Sequence, residues 1–198
     1  MLNVGLTGSI GSGKTLVAKI FEAIGIEVFC ADAEAKLLLQ EPEVKAEITG
    51  FFGDQILDEN SQIVNKRLAA IVFTHPPSLM QLNAIIHPRI KQRVRHWFES
   101  RPSAPYAIQE AAILFESGFN QECDAIITVS SPRELRIQRV MARDHTSRQE
   151  VLLRMKNQWT DEEKSERADY VIINDEKHMV IPQVLSIHDA LIKTANSK

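Results

Sequence analysis

Residues 8–15 read Gly8-Ser9-Ile10-Gly11-Ser12-Gly13-Lys14-Thr15, a complete G-x-x-x-x-G-K-[ST] spacing. No other feature restricts the fold as much, because the motif carries chemistry only where a strand enters it and a helix leaves it. Both flanks comply. Leu2-Asn3-Val4-Gly5-Leu6 reads as a short buried strand, and Leu16-Val17-Ala18-Lys19-Ile20-Phe21-Glu22-Ala23 as an amphipathic helix. Glycines let the backbone turn successive N–H groups toward one anion, and the helix N-terminus adds partial positive charge. In such a loop the whole run Gly8, Ser9, Ile10, Gly11, Ser12, Gly13, Lys14 and Thr15 cradles a nucleotide's phosphates. Lys14 reaches the β- and γ-phosphates, and the Thr15 hydroxyl ligates Mg²⁺.

The 198 residues suit one main domain with an inserted or appended lobe. Strand-like and helical segments alternate, with strands expected near residues 2–6, 26–30, 105–109, 125–129 and 170–173. That alternation implies an α/β fold with a parallel sheet and helices on both faces. Between about 35 and 100 the spacing is helical throughout, too long for one crossover, and predicts an inserted helical lobe that binds a second substrate. His87-Pro88 is expected to interrupt or kink its last helix. A helix follows over 132–143, and another from about 147 runs past Trp159; together residues 139–160 read as a lid. The terminal helix is expected to bury Val184, Leu185, Leu191 and Ile192 on one face.

A net charge of −3 leaves no overall basic field for nucleic acid. The longest apolar runs fall well short of a membrane span. Small-molecule partners remain. Cys30 and Cys123 have no metal-ligand spacing and read as buried, inert thiols, which with the lack of a visible signal peptide fits a reducing, cytoplasmic setting.

Asp32 follows the second strand at the sheet edge where ligands of α/β folds bind. An acid there can accept a proton from an attacking hydroxyl or help hold Mg²⁺; the alternative role is a helix N-cap. Glu110 and Glu116, after the third strand, read as Mg²⁺-water or structural contacts. Arg136, Arg139 and Arg143 recur at i, i+3 and i+7, one helix face with few acids nearby. Arg139 and Arg143 read as phosphate-binding and catalytic, Arg154 as a further candidate, and Arg136 as solvated. His188 reads as a surface or boundary residue, and His87, by spacing alone, as structural.

Six segments, in order along nearly the whole chain, resemble the dephospho-CoA kinase family. They are Leu6 through Lys14; Ala31-Asp32-Ala33; Leu82 through Ile85-Ile86-His87-Pro88; Ile113-Leu114-Phe115-Glu116; Gln138-Arg139 through Met141-Ala142-Arg143-Asp144; and Ala168-Asp169-Tyr170-Val171-Ile172 with Asn174. The resemblance implies ATP-dependent phosphorylation of the 3′-hydroxyl of the dephospho-CoA ribose, with ATP and Mg²⁺ bound. It further implies strand order 2-3-1-4-5, Asp32 as the catalytic aspartate, and His87 at the substrate site. Three positions depart from the family pattern. Cys30 stands for the first aspartate of an Asp-Ala-Asp signature, Ala112 for a proline, and Thr15 for a commoner serine. A P-loop nucleoside or nucleotide kinase with another acceptor shares loop, acid and arginines. A GTP-binding switch needs an Asn-Lys-x-Asp motif, and the only Asn-Lys pair, Asn65-Lys66, lies in the helical lobe and continues Arg67-Leu68.

Overall fold

The computed structural model describes residues 1–101 and 104–197. Five strands, β1 (Leu2–Thr7), β2 (Val28–Cys30), β3 (Tyr106–Glu110), β4 (Ala125–Ser130) and β5 (Tyr170–Ile173), form one sheet in the order β2-β3-β1-β4-β5. Every neighbouring pair is parallel, with Leu6 opposite Glu110 on one side and opposite Ile127 on the other. This is the α/β sheet and the order expected. The second strand is shorter than its apolar run, because Ile26 still belongs to the turn that follows Gly25.

β1 lies at the centre, so its side chains must be apolar on both faces. Leu2, Val4 and Leu6 pack with Ile108, Ile127, Val129 and Ile172 under helices α1 (Lys14–Ala23) and α9 (Val180–Asn196). On the other face Gly5 is a glycine for lack of room: a Cβ there would sit 2.6 Å from Leu114 Cδ2 and 3.0 Å from Cys123 Sγ. Val184, Ile187 and Leu191 are the buried stripe of α9, whereas Leu185 is 42% exposed. At 100° per residue, Leu185 cannot share the face that its neighbour Val184 and Ile187 define. His188, half-buried on α9, shares a 2.7 Å hydrogen bond with the Tyr106 hydroxyl.

The chain divides into two compact units, one of residues Met1–Cys30 with Val94–Lys198 and one of Ala31–Arg93. The first holds the sheet with α1, α9, α6 (Arg133–Asp144), α7 (Arg148–Met155) and α8 (Asp161–Ser165). The expected helix running past Trp159 is instead α7 and α8, separated at residues 156–160. Capping decides this. Ser147 with Glu150, and Thr160 with Glu163, each satisfy the first turn of a new helix reciprocally, so a second start outcompetes continuation.

The second unit is helical: α2 (Ala31–Leu38), α3 (Pro42–Phe52), α4 (Asn65–Val72) and most of α5 (Pro76–Glu99). Its buried residues include Leu38, Val44, Ile48, Phe52, Ile56, Leu68, Ile85 and Ile90. Arg93 pairs with Glu34 at 2.8 Å and with Glu41, tying the chain on either side of the α2–α3 turn. Pro88 does not interrupt α5, which runs as one helix through it. The Arg89 guanidinium donates to the Ile85 carbonyl at 2.7 Å, supplying a partner in the turn that a proline disturbs.

Candidate active site

The loop between β1 and α1 is held in a conformation few sequences can adopt. Gly8, Gly11 and Gly13 have φ of +149°, +80° and +100°. Gly13 precedes the first residue of α1, and the Leu16 and Val17 N–H groups donate to its carbonyl. A Cβ on Gly13 would lie 2.1 Å from Nδ2 of Asn174, the amide that donates to the Ser12 carbonyl at 2.8 Å. Gly13→Ala therefore combines a disfavoured φ with a broken buried hydrogen bond. Thermal unfolding should show a loss of about 1–3 kcal/mol; an unchanged melting temperature would remove the Asn174 contact from the loop's support.

Ahead of the bonds to Gly13, the first N–H groups of α1 lack a helical carbonyl four residues back, so this turn presents donors outward. Lys14 is the first residue of α1, and its Nζ lies 3.9 Å from Oε1 of Glu110, with the two side chains only 10% and 8% exposed. Oε2 of Glu110 accepts a hydrogen bond from the Cys30 thiol at 3.0 Å. Cys30 and Glu110 are cross-strand partners at the ends of β2 and β3. Cys30 is thus half-buried rather than buried as expected, with its thiol hydrogen-bonded to the carboxylate. Burial pushes the Cys123 thiol up to about 12, so that cysteine is unreactive. Thr15, the second residue of α1, is exposed.

The arginine helix α6 separates into three environments. Arg139 donates to the Ser131 hydroxyl at 3.2 Å and to the Asn174 carbonyl at 3.3 Å, and pairs with Glu176 at 3.4 Å. Through Asn174 it is connected to Ser12 of the phosphate loop. Arg143 and Arg154 converge on one acid, Asp144, at 2.7 and 2.8 Å. Hydrogen bonding from Arg143, and then from Arg154, holds the Asp144 carboxyl below the usual carboxylate range. The face is therefore not poor in acids, because α6 ends on one. Arg136 is not solvated either: it is 7% exposed, donates to the Ser131 carbonyl at 2.9 Å and pairs with Asp161 at 3.4 Å. Asp161 in turn accepts from the Ser131 N–H at 3.0 Å. A cleft of about 580 Å³ opens between these residues and the α7–α8 connection, with Ser9 of the phosphate loop in its wall.

In the helical unit, Asp32 is exposed and is the second residue of α2, inside its first turn rather than ahead of it as a cap. His87 is half-buried on α5; burial, followed by the Lys91 charge, lowers its pKa, so the imidazole is neutral near neutral pH. Sequence reasoning missed Asn174, Gln158 and Lys164 as supports of the phosphate loop. Asn174 had a usable signal, since it directly follows β5 on the sheet edge where ligands bind. Gln158 and Lys164 had none, because their partners are more than 45 residues away.

A parallel sheet in this order, whose central strand opens into a glycine loop, a buried lysine and a helix N-terminus, defines a P-loop phosphotransferase of the small-molecule kinase type. Residues 2–179 match the sequence family described as dephospho-CoA kinase. A dephospho-CoA kinase of Porphyromonas gingivalis is 38% identical over 200 residues, covering 100% of this chain and 96% of its own. Among solved structures, a Thermus thermophilus protein superposes with a TM-score of 0.82 at 31% identity, covering 98% of this chain and 97% of its own. The dephospho-CoA kinase of Campylobacter jejuni gives 0.70 at 26% identity, over 97% of this chain and 98% of its own. The chain belongs to the dephospho-CoA kinase family.

Proposed function

We infer that this chain transfers the γ-phosphoryl group of ATP to the 3′-hydroxyl of the dephospho-CoA ribose, giving coenzyme A and ADP. The observation that carries the reading is the family match over residues 2–179, laid on a glycine loop that keeps Lys14 beside a buried carboxylate. Lys14 neutralises the β- and γ-phosphates as charge moves between them, and the loop N–H groups hold them in place. Arg139 and Arg143, at successive turns of α6, add positive charge on the transferring group. Residues 139–160 act as a lid, closing from the anchored end at 158–160 to exclude water and favour transfer over hydrolysis.

Asp32 orients the acceptor hydroxyl and takes its proton as the bond forms. Support comes from chain position: Asp32 is two residues beyond β2, which ends at the sheet edge from which the phosphate loop leaves β1. The helical unit Ala31–Arg93 supplies acceptor contacts, with neutral His87 able to donate or accept one hydrogen bond. Hard oxygen donors suit Mg²⁺: the Thr15 hydroxyl would ligate it, and Glu110 would hold one of its waters. When held there, the ion would supply charge neutralisation to the phosphates. A cytoplasmic setting is supported by Cys30 and Cys123 being thiols outside any disulfide. Among the described residues no helix is long and apolar enough to cross a membrane.

The discriminating assay supplies purified protein with ATP and Mg²⁺ and a panel of acceptors. ADP release should be fastest with dephospho-CoA, by about 10²-fold or more in kcat/KM over nucleosides and nucleoside monophosphates, because buried acceptor contacts are left unmade by a truncated substrate. Equal or faster turnover of a simple nucleoside would assign the site to another acceptor.

A further inference from the structure

Ile10 lies at the outer bend of the phosphate loop, between Gly8 and Gly11, both at positive φ. A loop with this glycine content loses much conformational entropy on ordering. Two hydrogen bonds from a distant segment hold it. The Ile10 N–H donates to Oε1 of Gln158 at 2.8 Å, and the Ser9 hydroxyl donates to the Trp159 carbonyl at 3.2 Å. Gln158 and Trp159 belong to the connection between α7 and α8, 148 and 150 residues further along the chain.

That connection is itself anchored with unusual care. The Trp159 N–H donates to Oε1 of Glu116 at 2.7 Å. Its indole stacks on Phe115, ring centroids 5.5 Å apart and planes 2° from parallel, and the Arg167 guanidinium lies 4.8 Å from its ring centre. Glu116 Oε1 also takes Nζ of Lys164 at 3.0 Å, and Lys164, with a side chain 0% exposed, donates to the Ala112 carbonyl at 2.6 Å. A buried ion pair is weak evidence for stability, since apolar replacements often do as well. What this one specifies is position: it sets where residues 158 and 159 stand, and they meet the phosphate loop.

We propose that Gln158 is a positioning residue for nucleotide binding, held by the Trp159–Glu116–Lys164 anchor, and that it orders the phosphate loop before ATP arrives. The proposal rests on the kinase reading for its consequence in turnover, but not for its consequence in loop order. A pre-ordered loop spares the ligand an ordering cost. The hydrogen bond is made whether or not phosphoryl transfer is under way, so its loss weakens ground state and transition state alike and leaves the chemical step untouched.

The test uses the full chain with Gln158→Met, which keeps length but removes the acceptor, and Gln158→Glu, which restores one. Amide hydrogen exchange over residues 8–13 and calorimetric ATP binding are measured without acceptor; KM and kcat are measured with dephospho-CoA. Gln158→Met is expected to raise the ATP Kd and KM about three- to tenfold, the worth of one hydrogen bond, with kcat within twofold. Exchange over residues 8–13 should quicken, and Gln158→Glu should restore its protection. Unchanged exchange and ATP Kd in Gln158→Met would overturn the proposal, as would a fall in kcat at unchanged Kd. Because exchange and ATP binding need no acceptor, a failure of the dephospho-CoA reading would appear only in the turnover assay.

Discussion

Asp32→Asn should cut turnover by ~10²–10⁴-fold, the range of lost general-base catalysis, while leaving ATP affinity and folding nearly intact. An alcohol is a poor nucleophile near neutral pH, and asparagine keeps the size of aspartate while removing its capacity to take a proton. The other candidate acids are committed elsewhere. Glu34, on the same helix, is bonded to Arg93 at 2.8 Å. Glu110 stands beside Lys14, and Glu116 receives Lys164 and the Trp159 N–H. The Cys30 thiol donates a hydrogen bond to Glu110 and cannot act as the missing carboxylate of the family signature. Asp32 is exposed in the first turn of α2, so the structural cost of the change is confined to a helix-dipole contribution below about 1 kcal/mol. The measurement pairs steady-state turnover with calorimetric ATP binding and a melting curve. Turnover within a few-fold of the parent would place the base elsewhere; loss of the fold would make Asp32 a structural residue.

Lys14→Ala should abolish detectable transfer, a drop of at least ~10²–10³-fold by analogy with removal of one preorganised donor to transition-state charge. The chain should remain folded. Lys14 opens α1, the end of a helix where a cation is disfavoured by the dipole, so the lysine is not there to stabilise the helix. Its Nζ contact with Glu110 is long, at 3.9 Å, and Glu110 retains the Cys30 thiol as a donor when the lysine is gone. A far-ultraviolet spectrum and melting curve establish folding, and ADP release establishes activity. Near-normal activity in a folded variant would mean that the cation meeting the phosphates is another one.

Much of this architecture was legible in the chain because its determinants are local. Runs such as Ala125-Ile126-Ile127-Thr128-Val129, apolar but for one threonine, are what a strand buried on both faces requires, and this one became β4 in the central sheet. The boundary errors have equally local causes. A helical period continues across residues 147–159, but Thr160 and Glu163 start a new helix, and capping chemistry outweighs period there. Hydropathy alone puts Leu185 on the buried face of α9, although the angle of its neighbours excludes it.

The side-chain partnerships were not legible, and the arginines show why. Spacing puts Arg136, Arg139 and Arg143 on one stripe of α6, yet Arg136 is buried against Asp161, Arg139 reaches Asn174, and Arg143 shares Asp144 with Arg154. A helix period reports which residues share a face; it does not report what lies opposite. The sequence alone determined that a strand runs into a phosphate-cradling turn and a helix, since three glycines, Lys14 and Thr15 dictate that turn by backbone sterics and hydrogen bonding within eight residues. Only the tertiary structure decided that Glu110 faces Lys14, that Asn174 closes against Ser12 and that Gln158 caps Ile10. Those contacts exist because the parallel sheet seats β1 between β3 and β4, bringing the ends of distant segments to one edge. A hydrogen bond depends on that arrangement in space, which no local pattern of residues encodes.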